Sequence, residues 1–174
     1  MDKLFSPWRS AYISSFSGKE TSGACVLCDA YVSSEDEANL LVYRGREAFV
    51  IMNRFPYNSG HLMIIPTRHT SDFQSLTKTE QAETMELLAA SERALAELSK
   101  PQAFNIGMNL GRIAGAGIDG HLHWHIVPRW NGDTNFLPVI ADVKVVSEDM
   151  AEQWKRLREI FARTMDSRIR GNDK

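Results

Sequence analysis

Short apolar runs alternate with clusters of turn-forming residues in the first half of the chain. Ala48–Met52 and His61–Ile65 are two such runs, separated by the segment NRFPYNSG and closed by Pro66. Short apolar runs bounded by Gly, Pro and Asn are typical of buried strands. The pattern predicts two neighbouring strands joined by a loop, and a loop or short helix for the polar, acidic segment Ser33–Asn39 before them.

A different periodicity follows at Leu76–Lys100, where apolar residues recur at helical spacing. Thr77 and Glu80 fit the T-x-x-E capping box at the start of this segment, and Pro101 follows its end. Both signals are typical of helix boundaries. The pattern predicts a long helix that packs one face on the sheet.

The second half of the chain contains three further predicted elements. Ala103–Leu110 and His121–Val127 alternate, which predicts a third strand and a fourth strand that Pro128 stops. Ser147 is a candidate N-cap for a final helix, whose apolar stripe consists of Met150, Trp154, Leu157 and Phe161. Because strands cluster before and after one helix, we predict an α+β fold, with an antiparallel sheet and helices on one side of it.

Composition and charge exclude several classes of protein. The 174 residues include 20 Lys and Arg, 22 Asp and Glu and 43% hydrophobic residues, which gives a formal net charge of −2. A chain this apolar is not intrinsically disordered, and its length suits one domain. No basic stripe indicates a nucleic-acid polymer as partner, and no apolar run approaches the ~20 residues that span a bilayer. Since the first ten residues lack the apolar region of a secretory signal, we expect a cytoplasmic protein without a membrane partner.

The two cysteines, Cys25 and Cys28, form a C-x-x-C motif. A structural disulfide is disfavoured in a reducing cytosol. The motif therefore indicates half of a metal site or a redox pair, and the absence of a surrounding βαβ pattern speaks against the redox pair.

Three of the five histidines, His121, His123 and His125, alternate within five residues. On a strand they share one face, since side chains alternate with period two, while Leu122, Trp124 and Ile126 point to the core. Imidazole can bind a metal, transfer a proton or attack as a nucleophile. The row therefore predicts a metal site or a reaction centre, and the alternative is an exposed strand face with chance histidines.

A glycine-dense loop, Gly111–Gly120, leads into this row. Glycine lets backbone N–H groups approach phosphate oxygens closely, although the chain contains no Walker pattern. Beside three convergent histidines, the loop becomes a candidate phosphate site, and the alternative is a flexible connection.

The segment H-L-H-W-H-I-V-P resembles the motif of the histidine triad (HIT) superfamily, and the upstream N-R-F-P…G-H resembles the same superfamily. The resemblance covers roughly residues 40–130. The flanking segments Ser6–Arg9 and Pro128–Phe136 look like the bacterial diadenosine tetraphosphate phosphorylase branch. The resemblance to this superfamily implies an antiparallel sheet with a long helix packed on it and a C-terminal helix.

The resemblance also implies a division of the chain. An N-terminal arm with the C-x-x-C motif would span residues 1–39, and the HIT core domain residues 40–140. A helical extension would span residues 141–166, and a disordered tail residues 167–174.

Members of this family cleave or transfer nucleotides at the α-phosphorus through a covalent nucleotidyl-histidine. The resemblance assigns the nucleophile to His123 and contact with phosphate to His125. It favours phosphorolysis of diadenosine tetraphosphate to ATP and ADP. The alternatives are a hydrolase that releases AMP, a weakly active nucleotide-binding module, and a purely structural reading in which the histidines bind zinc.

The nucleotide pocket implied by the family maps onto five positions outside the triad: Asn53, Asn109, Gly111, Ala116 and Gly117. Backbone N–H donation is the role expected of the last two. Many hydrolases of the family carry glutamine or serine in this loop, and Arg112–Gly120 contains neither, which favours the phosphorylase branch. Hexose-1-phosphate uridylyltransferases typically have glutamine at the third triad position, so His125 argues against them.

Some relatives bind structural zinc through a C-x-x-C motif and two histidines. The matching residues here are Cys25, Cys28, His69 and His121, a Cys₂His₂ set. The alternatives are two buried, unrelated cysteines or a site that has lost its metal. No magnesium motif is evident, so any magnesium is expected with the substrate.

The family usually dimerises through its long helix and a sheet edge, which implies a homodimer. Some side chains near the motif have other interpretations. We expect His61 to form a structural hydrogen bond, and we leave Arg9, Arg129 and Trp130 open between substrate contact and packing.

Overall fold

The computed structural model describes residues 25–133 and 149–171, with side chains up to residue 165. The N-terminal flank Ser6–Arg9, including Arg9, lies outside the described residues, as do the helix cap predicted at Ser147 and the last part of the flank Pro128–Phe136.

Five strands form one antiparallel sheet in the order β1-β2-β3-β5-β4. The strands are β1 (Leu41–Arg44), β2 (Ala48–Met52), β3 (Leu62–Pro66), β4 (Ala103–Met108) and β5 (Trp124–Arg129). The bounds of β2 are as predicted, whereas β1 was not predicted at all. The antiparallel α+β architecture is confirmed.

The helices are α1 (Val26–Val32), α2 (Asp36–Asn39), α3 (Lys78–Ser99) and α4 (Met150–Gly171), and short 3₁₀ turns cover Phe73–Ser75 and Arg112–Ala114. The predicted capping box is confirmed, since Thr77 and Glu80 each accept the other's backbone N–H. At α4, the Asp149 side chain accepts the backbone N–H groups of Ala151 and Glu152 at 2.9 and 3.1 Å. The helix continues to Gly171, into the segment expected as a tail.

The sheet separates two groups of buried apolar residues. On one face α3 and α4 pack against alternate strand residues such as Val50, Leu62 and Ile126. On the other face Leu27 and Ala30 of α1 pack with five further residues: Leu41, Phe49, Ile51, Met63 and Ile65. The long helix and the C-terminal helix therefore lie on one side of the sheet, as predicted, whereas α1, which was not predicted, covers the opposite face.

The histidine segment is only partly a strand. The sheet ladder starts at Trp124, and before it the Leu122 N–H donates to the Thr70 carbonyl at 2.8 Å. The ladder also runs through Pro128, where it was predicted to stop. The Pro128 carbonyl accepts from Asn58 Nδ2 at 3.1 Å and therefore points away from β4. The N–H that proline lacks would point to the same side as this carbonyl, so its absence leaves the hydrogen bonds to β4 intact.

Strand β4 forms one edge of the sheet and carries exposed apolar side chains, with Ile106 52% accessible.

Within the described ranges, every helix falls short of the length or hydropathy required to cross a membrane.

Candidate active site and metal centre

The three histidines of the triad lie at the start of β5 and in the segment directly before it, between the registers of β3 and β4. His125 on β5 is opposite Met63 of β3 on one side and Gly107 of β4 on the other. His121, His123 and His125 are 1%, 5% and 9% exposed. The rings of His123 and His125 are 5.0 Å apart and nearly perpendicular, at 86°. The structure therefore brings both predicted catalytic residues into one buried group.

A backbone carbonyl fixes the protonation of His123. Its Nδ1 lies 2.8 Å from the carbonyl oxygen of His121, which can only accept a hydrogen bond. The proton of the neutral ring is therefore on Nδ1, and Nε2 carries a lone pair. Burial lowers the pKa of His123, although the hydrogen bond to His121 opposes this shift. The ring is thus held neutral, in the form required of a nucleophile.

His61 completes the group from the loop before β3. It is 1% exposed, and its Nε2 lies 2.9 Å from Nδ1 of His125. The expected structural hydrogen bond exists, and its partner is a triad residue. No local signal could reveal this contact, because 64 residues separate the two histidines in the sequence.

A backbone amide fixes the protonation of His61, and through it that of His125. The Tyr57 N–H donates to Nδ1 of His61 at 3.0 Å, so this nitrogen carries a lone pair. His61 Nε2 therefore carries the proton and donates to Nδ1 of His125. As a consequence, neutral His125 carries its proton on Nε2 and can donate it to an oxygen atom. Tyr57, which sequence reasoning missed, also has its ring 4.7 Å from that of His61.

The predicted pocket residue Asn53 follows β2 and belongs to the same hydrogen-bonded group. Its Nδ2 lies 3.3 Å from Nδ1 of His61, and its Oδ1 accepts the Phe55 N–H at 2.9 Å. Asn53 thus stabilises the loop around His61.

The glycine loop closes on itself beside the triad. The predicted pocket residue Asn109 directly follows β4, whose last residue, Met108, is opposite Trp124 of β5. Gly111 has a positive φ of 80°, and its carbonyl accepts the Ala116 N–H at 3.2 Å. The phosphate-donor role predicted for Ala116 would require this bond to open. Gly117 follows in the same loop.

All four predicted metal ligands are brought together at the other end of the histidine segment. One ligand atom each of Cys25, Cys28, His69 and His121 lies within 4.8 Å of the others. Sγ of Cys25 is 3.4 Å from Nδ1 of His121, and Sγ of Cys28 is 3.4 Å from Nδ1 of His69. Zinc bonds of about 2.3 Å to sulfur and about 2.05 Å to nitrogen give tetrahedral S···N separations of about 3.6 Å. The donor set and its spacing therefore fit zinc.

His121 is oriented for this role by a second backbone carbonyl. Its Nε2 lies 2.9 Å from the Pro66 oxygen, so Nε2 carries the proton and Nδ1 offers a lone pair to a metal. Burial lowers the pKa of His121, which keeps the ring neutral. Desolvation and the neighbouring Cys25 raise the pKa of the Cys28 thiol to about 11, so metal binding would release protons from this site.

Comparisons with known proteins agree with this geometry. The family model described as the HIT domain matches residues 34–132. A protein of Mycobacterium tuberculosis named AP-4-A phosphorylase is 41% identical over 128 residues, which are 74% of this chain and 66% of that protein. An uncharacterized HIT-like protein of Mycoplasma genitalium is 30% identical over 119 residues, 68% of this chain and 82% of that protein. The chain thus spans slightly less than two thirds of the length of the mycobacterial relative.

Solved structures show the same fold. A Zn-bound histidine triad family protein from Mycobacterium smegmatis superposes with a TM-score of 0.64 and is 26% identical. The match covers 83% of this chain and 97% of that protein.

Proposed function

Because the chain belongs to the HIT family, we propose that it catalyses phosphorolysis of diadenosine tetraphosphate to ATP and ADP through a nucleotidyl group on His123. The observation that carries this proposal is the hydrogen bond from His123 Nδ1 to the His121 carbonyl, which leaves Nε2 as a neutral nucleophile. The relative named AP-4-A phosphorylase supports the choice of substrate and acceptor.

In the first step, Nε2 of His123 attacks the α-phosphorus of the dinucleotide. An N–P bond forms, the bond to the bridging oxygen breaks, and ATP leaves as an anion. His125 donates its Nε2–H to a phosphate oxygen, since its Nδ1 is occupied by the proton of His61. Such a donor stabilises the charge that develops on the oxygen atoms in the transition state.

In the second step, inorganic phosphate attacks the adenylyl group. A new P–O bond forms, the N–P bond breaks, and ADP leaves while His123 regains its lone pair. Water competes with phosphate for the same intermediate and would give AMP. The loop Arg112–Gly120 offers no glutamine or serine to orient that water, which supports phosphate as acceptor.

The experiment that tests this function is product analysis with diadenosine tetraphosphate, with and without inorganic phosphate. Phosphate-dependent ATP and ADP are the expected products. Phosphate-independent AMP and ATP would show a hydrolase instead. Nucleotide binding without turnover, and without adenylate on His123, would show a binding module.

For the cluster Cys25, Cys28, His69 and His121 we propose one structural zinc ion per chain. Its donor set and spacing fit tetrahedral zinc, as the site geometry indicates. When bound, zinc would tie the start of α1 to the histidine segment. Metal analysis of the purified protein is expected to give one zinc per chain and none after Cys25→Ser. Magnesium would arrive only with the polyphosphate substrate.

We also propose a homodimer, formed through the edge of β4 and an exposed face of α3, as the family resemblance implies. Exposed apolar side chains support this surface, with Ile106, Leu110 and Met85 accessible by 52%, 51% and 49%. An uncovered edge strand of this kind pairs readily with another chain. Light scattering after Ile106→Lys is expected to show a monomer, whereas Val32→Lys on α1, 80% accessible, leaves the dimer intact.

We place the protein in the cytoplasm, and cell fractionation would test this.

A further inference from the structure

The turn that follows β5 is tied to the loop that carries His61. The Asp133 carboxylate, whose side chain is 9% exposed, accepts from Arg129 Nε at 2.6 Å and from Arg129 Nη2 at 2.9 Å. It also accepts from Asn58 Nδ2 at 2.8 Å. Charge-assisted hydrogen bonds of this kind are stronger than neutral ones. Asp133 therefore holds the Asn58 side chain in one orientation.

Asn58 passes this constraint to the loop backbone. Its Nδ2 also donates to the Pro128 carbonyl at 3.1 Å, so the side chain spans two groups at the end of β5. Its own carbonyl accepts the His61 N–H at 3.2 Å. The backbone on both sides of Asn58 is consequently fixed relative to β5, the strand that carries His125.

The backbone amide that sets the protonation of His61 belongs to Tyr57, the residue before Asn58. The Tyr57 N–H directly precedes Asn58 and donates to His61 Nδ1 at 3.0 Å. If Asn58 were released, this amide would move with it. His61 Nδ1 would then keep the longer contact with Asn53 Nδ2, at 3.3 Å, and its protonation would be less firmly fixed. The donor to Nδ1 of His125 would weaken accordingly.

We propose that Asn58 and Asp133 are positioning residues, which hold the Tyr57 amide on His61 so that His125 presents its Nε2–H to the substrate phosphate. The consequence for catalysis rests on the proposed function. The consequence for the histidine rings does not, because it follows from the hydrogen bonds of the protein alone.

Two variants and a matched control test this proposal. Asn58→Asp replaces the donor by a carboxylate that faces the Asp133 carboxylate and the Pro128 carbonyl. Asp133→Asn preserves size and removes the charge. Asn105→Ala is the control, since exposed Asn105 binds Arg129 Nη1 at 2.7 Å and belongs to the same network without touching Asn58.

The first readout is the ¹⁵N spectrum of the histidine rings, which is tractable because the chain has five histidines. In the unaltered protein and in Asn105→Ala, His61 and His125 are expected as single Nε2–H forms. In Asn58→Asp and Asp133→Asn their signals should shift toward a mixture of the two tautomers, while His123 remains the Nδ1–H form. The second readout is turnover of diadenosine tetraphosphate, for which we expect kcat to fall about 10-fold or more with a smaller change in KM, as misplaced catalytic groups cost up to ~100-fold.

Unchanged His61 and His125 ring signals in the folded variants would overturn the proposal, whatever the kinetics. If Asn58→Asp does not fold, Asp133→Asn decides alone. If the unaltered protein does not turn over the dinucleotide, the proposed function fails, and the ring spectra still decide whether Asn58 and Asp133 position His125.

Discussion

The proposed roles divide the five histidines into two groups, which meet at the segment His121–His125. At the metal end, His121 and His69 face two thiols, and at the reaction end His123 and His125 meet His61. The residue type is the same throughout, so it does not decide the role. A backbone group decides it, because the Pro66 carbonyl, the His121 carbonyl and the Tyr57 amide each determine which ring nitrogen keeps its proton.

The comparison predicts that substitutions in the two histidine groups affect different properties of the protein. Variants at the reaction end should lose turnover and keep stability, whereas variants at the metal end should lose stability first. Four predictions, arranged from the largest expected effect to the smallest, test this separation.

His123→Ala should reduce turnover by at least about 10⁴-fold, roughly 5.4 kcal/mol of barrier, because no other group replaces the nucleophile. Nucleotide binding should persist, since the loop and His125 remain. Steady-state rates with the dinucleotide and calorimetric titration with a nucleotide would check both statements. Turnover within tenfold of the unaltered protein would rule out a nucleotidyl-His123 intermediate.

Cys25→Ser should remove the zinc and lower stability by about 4 kcal/mol when free zinc exceeds its dissociation constant ~1,000-fold. For a chain of this size the melting temperature would fall by roughly 8–16 °C. Differential scanning calorimetry with zinc and with a chelator provides the control. The variant and the original protein should melt alike once the chelator is present, and a difference that survives chelation would contradict a zinc-based effect.

His61→Leu should lower kcat about 100-fold, or ~2.7 kcal/mol, because His125 loses the donor that fixes its protonation. His61→Gln is the matched variant, since an amide offers one acceptor and one donor in the same order. It should stay within about tenfold of the unaltered protein. Equal losses in Leu and Gln variants would indicate that His61 acts only through packing.

Glu80→Gln should give the smallest change, a loss of about 2 kcal/mol. Arg68 donates to both carboxylate oxygens of Glu80 at 2.8 and 2.9 Å, which supports the segment whose Pro66 carbonyl orients His121. These bonds lower the pKa of Glu80 from 4.5 to about 2. The contribution of this carboxylate is therefore complete above pH ~4.5 and disappears as the pH falls toward 2.

Thermal denaturation of both proteins in chelator, at pH 7 and at pH 3, measures this contribution without zinc. The difference in stability should shrink at the lower pH. A difference that stays constant would mean that the charge of Glu80 is not what stabilises the pair.

Local patterns were sufficient for the elements whose signals are local. The strand Ala48–Met52 is continuously apolar, and α3 carries both its capping box and its periodicity, so both were predicted. The strand Leu41–Arg44 was missed because four residues are too few to show a period. Helix α1 was missed because its seven residues present only two buried side chains, Leu27 and Ala30.

Within the candidate site, the predicted histidines and cysteines come together, whereas the residues that orient them could not be predicted. Tyr57 acts through its backbone amide, a group that nearly every residue type has, so the sequence does not mark this position. Asp133 meets Asn58 across 75 residues of sequence, and hydrogen bonds of that range are invisible to local periodicity. The family motif thus points to the proposed reacting groups, while the protonation of their rings follows only from the path of the backbone.

That path has a consequence for protein engineering. Point mutations exchange side chains and leave backbone carbonyl and amide groups in place. Most single substitutions therefore do not remove the hydrogen bonds from Pro66, His121 and Tyr57 that determine the protonation of the histidine rings. Replacing a histidine in this segment changes the side chain and leaves its backbone hydrogen-bond partner unchanged. New chemistry at this site is therefore more accessible through new side chains on the present backbone than through remodelled loops.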